Sequence, residues 1–471
     1  MRESDARSSS DGPRELLTLR HAVLLIVGVV IGAGIFKAPS LVAQMTGSPG
    51  WMFTAWVLGG VVSLIGALCY AELTTSYPSV GGDYHFLHRA YGRKVSFLFA
   101  WARFSVITTG SIALLAFVFG DYMQQVVPLA GDTATGSALY AAAVIAVLWW
   151  INARGLLAGA SAQSWLTALE IGGLLLVFAA ALWVLGGLAP QASAPAAAAW
   201  SFGAAPGWGG FGLAMVFVLL AFGGWNEASY ISAELKDSRR SMVKVLVVSI
   251  ITITVLYLMV TWAYWRVLGL SGMGKSEAVA ADAMRVAFGA TGETVISILV
   301  AIAALSSINA TMIVGARTSY AAGCDWPPLR RLAYWDTGRG SPAVALTVQN
   351  AAALLLVLVG FWSGNGFRSM VEFTAPVFWL FFLLAGLSLF VLRWREPRTS
   401  RPFSVPLYPV LPVIFCLTCG YMLWSSLSYA SSQQLAGLNA GWIGVLVLLS
   451  GAVLMVLLEA RRPVRVSTDV N

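Results

Sequence analysis

The chain has 471 residues, 58% of them hydrophobic and only 11% charged, with 29 Lys+Arg against 21 Asp+Glu. A soluble domain carries about 25% charged residues, so this composition excludes a soluble globular enzyme and a disordered chain, and points to a polytopic helical membrane protein. Stretches such as 245–262 are apolar on every face, which excludes the alternating strands of a membrane β-barrel.

In chain order, a polar tail covers 1–19, and twelve apolar runs then predict spanning helices. They are 20–45, 51–76, 95–120, 138–152, 160–187 and 209–234, followed by 243–265, 292–316, 342–361, 370–392, 405–428 and 438–459. The fourth run is short and must borrow flanking residues or lean on its neighbours. A second polar tail covers 460–471. No cleavable signal peptide is expected, because the first apolar run is too long for one. Cys69, Cys416 and Cys419 lie in apolar runs and Cys324 in a connecting segment, so no disulfide framework is expected.

The loops set the orientation. With both termini cytoplasmic, 23 of the 29 basic residues fall in inner segments, only Arg266, Lys275, Arg285 and Arg368 fall outside, and Lys37 and Arg103 lie within spans. Such a bias fixes topology. The basic residues are spread over every inner loop and form no groove, so no nucleic-acid partner is expected; the surroundings are a lipid bilayer.

Two spans are interrupted by glycine near their middles. Span 1 reads Gly28-Val-Val-Ile-Gly32-Ala33-Gly34-Ile35-Phe36, and span 6 reads Ala221-Phe222-Gly223-Gly224-Trp225-Asn226-Glu227. One cluster alone would suggest close helix packing through small residues. Two clusters five spans apart, on helices crossing in opposite directions, suggest an inverted repeat with a site near the midplane. The first repeat would cover 20–190 and the second 205–392, with two further helices over 405–459. Unwinding frees backbone groups that must face protein or a polar cavity. The outer half of span 1 would present N–H groups at Gly34–Phe36 to a carboxylate. The first half of span 6 would end in carbonyls at 220–223 suited to an ammonium group. An anion site facing a cation site matches an amino acid zwitterion.

These residues carry a resemblance. The Gly28–Phe36 stretch followed by Pro39 resembles the span 1 signature of the amino acid–polyamine–organocation (APC) permeases. Phe222-Gly-Gly-Trp-Asn226, with Glu234 and Asp237 beyond, is similar to span 6 of their L-type amino acid transporter branch. Tyr70-Ala-Glu-Leu73, Gly81-Gly82-Asp83-Tyr84, Gly315-Ala-Arg317 and Pro406-Leu-Tyr-Pro409 agree, so the resemblance covers nearly the whole chain. It implies the APC fold: all-α, twelve transmembrane helices, a five-plus-five inverted repeat with helices 1 and 6 broken, working by alternating access. It implies a substrate-binding set of Ile31, Gly32, Ala33, Gly34 and Ile35 with Ala221, Phe222, Gly223, Gly224, Trp225 and Asn226. Phe222 takes the place of a gating aromatic. Relatives carry a span 5 lysine where this chain has Glu170. Relatives joined to a glycoprotein use a cysteine in the outer loop after span 3, and 121–136 has none, so no disulfide-linked heavy chain is expected.

Charged residues inside spans are costly and need a reason. Arg103 reads as a structural partner of Glu72 or a snorkelling side chain. Lys37 is left between compensating a buried carboxylate and facing an outer vestibule. Glu170 and Glu227 near the midplane, with Phe222 and with Ser306 and Ser307 of span 8, are the coupling and gating candidates. Glu170 is a candidate proton-linked switch beside the span 1 break.

The function expected is secondary amino acid transport in a cell (inner or plasma) membrane. The alternatives are a polyamine or amine carrier of the same fold and a nutrient sensor that binds without transporting. An enzyme is not expected: His85 and His88 have metal-like spacing but no intramembrane partner. No phosphate-cradling loop occurs, so ATP-driven transport is not expected either. No cofactor and no metal are expected. The side chain carried, the coupling and the oligomeric state are open.

Overall fold

In the computed structural model the chain is described over residues 30–79, 81–154, 160–188, 200–227, 238–336, 342–364, 366–431 and 438–460, with positions 23, 26–28 and 434–435. Helix is the form in which an apolar run satisfies its own backbone. The helices are α1 (Ala38–Thr46), α2 (Pro49–Ser76), α3 (Asp83–Tyr91), α4 (Arg93–Ala102), α5 (Thr108–Val126), α6 (Thr133–Ala153) and α7 (Ala160–Leu185). They continue with α8 (Trp208–Ala221), α9 (Ser238–Lys275), α10 (Val279–Asp325), α11 (Ala343–Trp362), α12 (Gly366–Arg395), α13 (Val410–Ala430) and α14 (Ala440–Ala460). A two-residue strand pair joins Gln434–Leu435 to Leu438–Asn439.

Among the described residues nine helices are long and apolar enough to cross a membrane, with Trp208–Ala221 and Ile443–Glu459 as shorter apolar helices. The fourth run, expected at 138–152, does borrow from its flank. It starts at Thr133, where Asp132 caps it by accepting from the Thr135 N–H at 2.7 Å. α4 and α5 form one continuous span, Arg93–Val126, joined by a π-helical turn at Arg103–Ile107.

Two connections contain more helix than the sequence reading gave them. The connection after α2 holds α3. The connection 268–291 is helical on both sides of Ser276, bent through Gly269 (φ 68°) and Gly289 (φ 65°).

α10 packs along α5 and α7, α9 along α2 and α7, and α12 along α13. The main core cluster includes Ile31, Ile35, Phe36, Ala221, Phe222 and Tyr257. The glycine-rich stretches of the first and sixth runs therefore sit inside the packed interior. Below, the end carrying the basic loops is the basic end, and the other is the far end.

Candidate functional site

The first run is helical at Val30, and the Ile31 N–H still reaches the Val27 carbonyl at 2.8 Å. Gly32 then leaves the helix (φ −44°, ψ 178°), and a 3-10 turn, Ala33–Phe36, leads through Lys37 into α1. The N–H groups that open this new segment have no preceding turn to bond. In the sixth run α8 stops at Ala221. The Gly223 N–H tightens onto the Leu220 carbonyl at 2.9 Å. Gly224 follows at φ 108°, a backbone region that favours glycine, and the Glu227 N–H closes a turn on the Gly224 carbonyl at 3.0 Å.

The two interruptions meet. A β-carbon on Gly34 would lie 3.4 Å from the Ala221 Cα, so the two backbones approach closely there. The Tyr257 hydroxyl of α9 lies 2.9 Å from the Val30 carbonyl and 2.9 Å from the Ala221 carbonyl. One phenolic proton thus serves the last carbonyls on both sides of the meeting point. Gly28 has a plainer role. A β-carbon there would fall 2.0 Å from Thr167 Oγ1, so glycine lets span 5 pack on span 1.

The other substrate candidates divide. Ile31, Ile35 and Ala221 are buried at the meeting point, and Asn226 is buried facing Asp83. The Phe222 ring is fully buried, with centroids 6.1 Å from Trp56 and 5.0 Å from Tyr257. Trp225 points to Tyr70, Phe382 and Phe415. The Ala33 side chain, Glu234 and Asp237 lie outside the described residues. Ser306 and Ser307 are buried on α10, the helix that packs against the 3-10 turn.

The intramembrane charges are arranged as follows. Glu170 is buried, and neither carboxyl oxygen has a hydrogen-bond partner among the described residues. It lies near enough to the Tyr257 phenol to act on it electrostatically. Lys37 pairs with a part-buried carboxylate: its ammonium donates to Asp121 Oδ2 at 2.8 Å and to the Glu277 carbonyl at 2.5 Å. Ser137 donates to the other Asp121 oxygen at 2.6 Å, Tyr122 to the Phe36 carbonyl at 2.7 Å, and Ser40 to the Ser276 carbonyl at 2.7 Å. The far half of the first run is thereby tied to α5 and to the 268–291 connection.

Arg103 corrects the expectation of a Glu72 partner. Its Nη2 donates to both oxygens of Glu227, at 2.9 and 3.1 Å. Glu72 instead accepts from Arg393 at 2.7 and 2.6 Å and from the Val405 N–H at 2.7 Å, which fixes the 396–405 connection to α2. Sequence proximity suggested the wrong acid, because the guanidinium reaches across the interior. Sequence reasoning also missed Tyr257, Asp121 and Asp83. An acid at the end of an otherwise apolar span was a usable signal for Asp121. Tyr257 gave none, since it sits in an unbroken apolar run.

This arrangement is that of a multi-pass helical membrane protein whose glycine-rich first and sixth runs leave the helix and meet in its core. Residues 17–459 match the Amino acid permease family, and the chain belongs to that family, within the APC superfamily. It is 28% identical over 447 residues to Asc-type amino acid transporter 1 of Mus musculus, covering 92% of this chain and 79% of the relative. It is 29% identical over 409 residues to the b(0,+)-type amino acid transporter 1 of Mus musculus, covering 86% and 81%. It is 28% identical over 438 residues to the Large neutral amino acids transporter small subunit 2 of Mus musculus, covering 90% and 79%. The family and these relatives are transporters and not enzymes.

Proposed function

We propose that this chain is a secondary amino acid transporter that works by alternating access. The substrate carboxylate sits on backbone N–H groups of Gly32–Ile35, and the ammonium on carbonyls near Ala221–Gly223. The observation that supports this reading is that the first run leaves the helix at Gly32 and α8 ends at Ala221 beside it in the core, with the Tyr257 hydroxyl reaching carbonyls of both. Membership of the permease family supports amino acids as the cargo. The fold of the proposal has twelve helices, five-plus-five inverted, with the basic end in the cytoplasm of a cell membrane. Phe222 acts as a gate by anchoring the end of α8 between α2 and α9. Glu170 is the coupling carboxyl. The loop after α5 holds no cysteine, so this chain works without a disulfide-linked partner there.

The test is a thermal-shift screen of the purified protein against amino acids and their decarboxylated amines, followed by uptake into vesicles. The first set is the large neutral amino acids named for one relative. A ligand that binds the native state raises its melting temperature. Saturable uptake of an amino acid, with the amine bound far more weakly, is the expected result. Equal affinity for both favours an amine carrier. Binding without uptake favours a sensor.

A further inference from the structure

Beneath the Arg103–Glu227 pair, at the basic end, lies a second carboxylate that the transport reading does not use. Asp83 is the first residue of α3, directly after Gly81-Gly82, and it is only 3% exposed. Its Oδ1 has no hydrogen-bond partner among the described residues. The groups facing it are Tyr70 from α2, Arg103 from the π-helical turn, and Asn226 and Glu227 from the interrupted sixth run. Neighbouring charges are engaged elsewhere. On α12, Arg393 holds Glu72 and Arg395 the Ala90 carbonyl. On α4, Arg93 holds the Asp325 carbonyl and Lys94 faces Glu459. On α3 itself, Arg89 holds Glu396, and His85 and His88 lie further along the helix.

The cluster therefore holds two acids and one guanidinium. With both acids ionised it carries a net negative charge, and of the two carboxylates Asp83 is buried while the Glu227 side chain is 26% exposed. That state is relieved either by a proton or by a shared guanidinium. Arg103 begins a π-helical turn, a feature frequent at functional sites. We propose that Asp83 is a proton-binding site whose ionisation draws Arg103 away from Glu227 and so releases the Gly224–Glu227 turn that follows α8. Proton binding then favours the arrangement described above, and proton loss favours the released one. Two arrangements of unequal proton affinity are what coupling requires.

The energetics agree in sign. Burial, opposed by the Arg103 guanidinium, pushes the Asp83 carboxyl up from 3.8 to about 6. A carboxyl raised on folding contributes stability that is fully present below its unfolded value and lost as pH rises through its folded value. The window is therefore 3.8 to about 6.

Proton binding is read directly by infrared difference spectroscopy of the full chain in lipid, following the C=O stretch of protonated carboxyls. A band lost with a midpoint of about 6 is expected in the wild type and absent in Asp83→Asn. In Glu227→Gln the guanidinium is free to turn to Asp83, and the midpoint falls by about one pH unit or more, tenfold in proton affinity. The Glu227→Gln arm decides the matter if Asp83→Asn does not accumulate. An unchanged wild-type titration in Asp83→Asn, or an unmoved midpoint in Glu227→Gln, overturns the site. The consequence for gating rests on the transport reading and is measured separately, as substrate exchange with equal pH on both sides. Wild-type exchange slows on acidification, and Asp83→Asn stays at the slow acid value throughout. A wild-type pH profile in Asp83→Asn overturns the gating role. Absence of exchange at every pH in the wild type removes the transport reading, and the infrared titration still decides the proton site.

Discussion

Removing one oxygen at Tyr257 tests whether the two interruptions work as a unit. Tyr257→Phe keeps the ring that packs on Trp56 and Phe222 and deletes the hydroxyl lying 2.9 Å from the Val30 and Ala221 carbonyls. The hydroxyl has one proton, so one hydrogen bond is lost, although two buried carbonyls lose their shared donor. A buried group left unsatisfied costs about 1–3 kcal/mol. Measured intramembrane bonds average about 0.6 and reach about 1.7 kcal/mol, because the alternatives also find partners. The expected cost is about 1–2 kcal/mol, roughly a 5–30-fold shift away from the bridged arrangement. Tyr264→Phe is the control. Tyr264 is equally buried on the same helix, yet its hydroxyl has no partner among the described residues. Thermal midpoint and exchange rate are compared in the same lipid. Tyr257→Phe lowers the midpoint and changes the rate, and Tyr264→Phe does neither. Indistinguishable behaviour of the two variants refutes the reasoning.

Two further substitutions probe the same region. At Gly34 a β-carbon meets Ala221 at ordinary van der Waals distance, and the methyls of a branched side chain would extend beyond it into the space proposed for the carboxylate. Gly34→Ala therefore binds substrate within a few-fold of wild type, and Gly34→Val abolishes binding while still reaching the membrane. Tight binding by Gly34→Val in a thermal-shift assay contradicts the backbone site. Glu170→Gln keeps ligand binding but no longer accumulates substrate in response to an imposed proton gradient. A sodium requirement in the wild type, or undiminished gradient-driven accumulation in the variant, removes the coupling role.

The parts of this architecture legible in the sequence are those fixed locally. Helix existence follows from apolar length, and the glycine clusters around Gly32 and Gly224 marked where each run leaves the helix, Gly224 at a φ of 108° that favours glycine. Helix faces were not legible, since a run apolar all round has no amphipathic signal. The ion pairs were not legible either. Lys37 and Asp121 are 84 residues apart, Arg103 and Glu227 are 124 apart, and Glu72 and Arg393 are 321 apart. Burial of a charge announces that a partner exists, and only tertiary packing selects it. The same limit hid Tyr257, whose hydroxyl matters only because two distant carbonyls converge on it.

The two intramembrane pairs have a relation that neither shows alone. Lys37 directly follows the 3-10 turn of the first run, and Glu227 directly follows Asn226 in the sixth. Both partners lie on the single span Arg93–Val126, with Asp121 toward the far end and Arg103 toward the basic end. Eighteen residues separate them, about 27 Å along a helix. One span thus holds the first and the sixth run, each by an ion pair, toward opposite ends of that span. Opening either end must break its own pair and can leave the other intact. Charged hydrogen bonds of this kind contribute about 1.5–3 kcal/mol, so neutralising one pair shifts the populations roughly 10–150-fold. The reporter is Ser40→Cys, which replaces a buried hydroxyl at the far end, labelled in intact cells by an impermeant thiol reagent. Adding Asp121→Asn raises the labelling rate, because the far end opens more often. Adding Glu227→Gln lowers it, because the freed basic end draws population from states in which the far end is open. Changes of the same sign in both variants would show that the pairs are static braces.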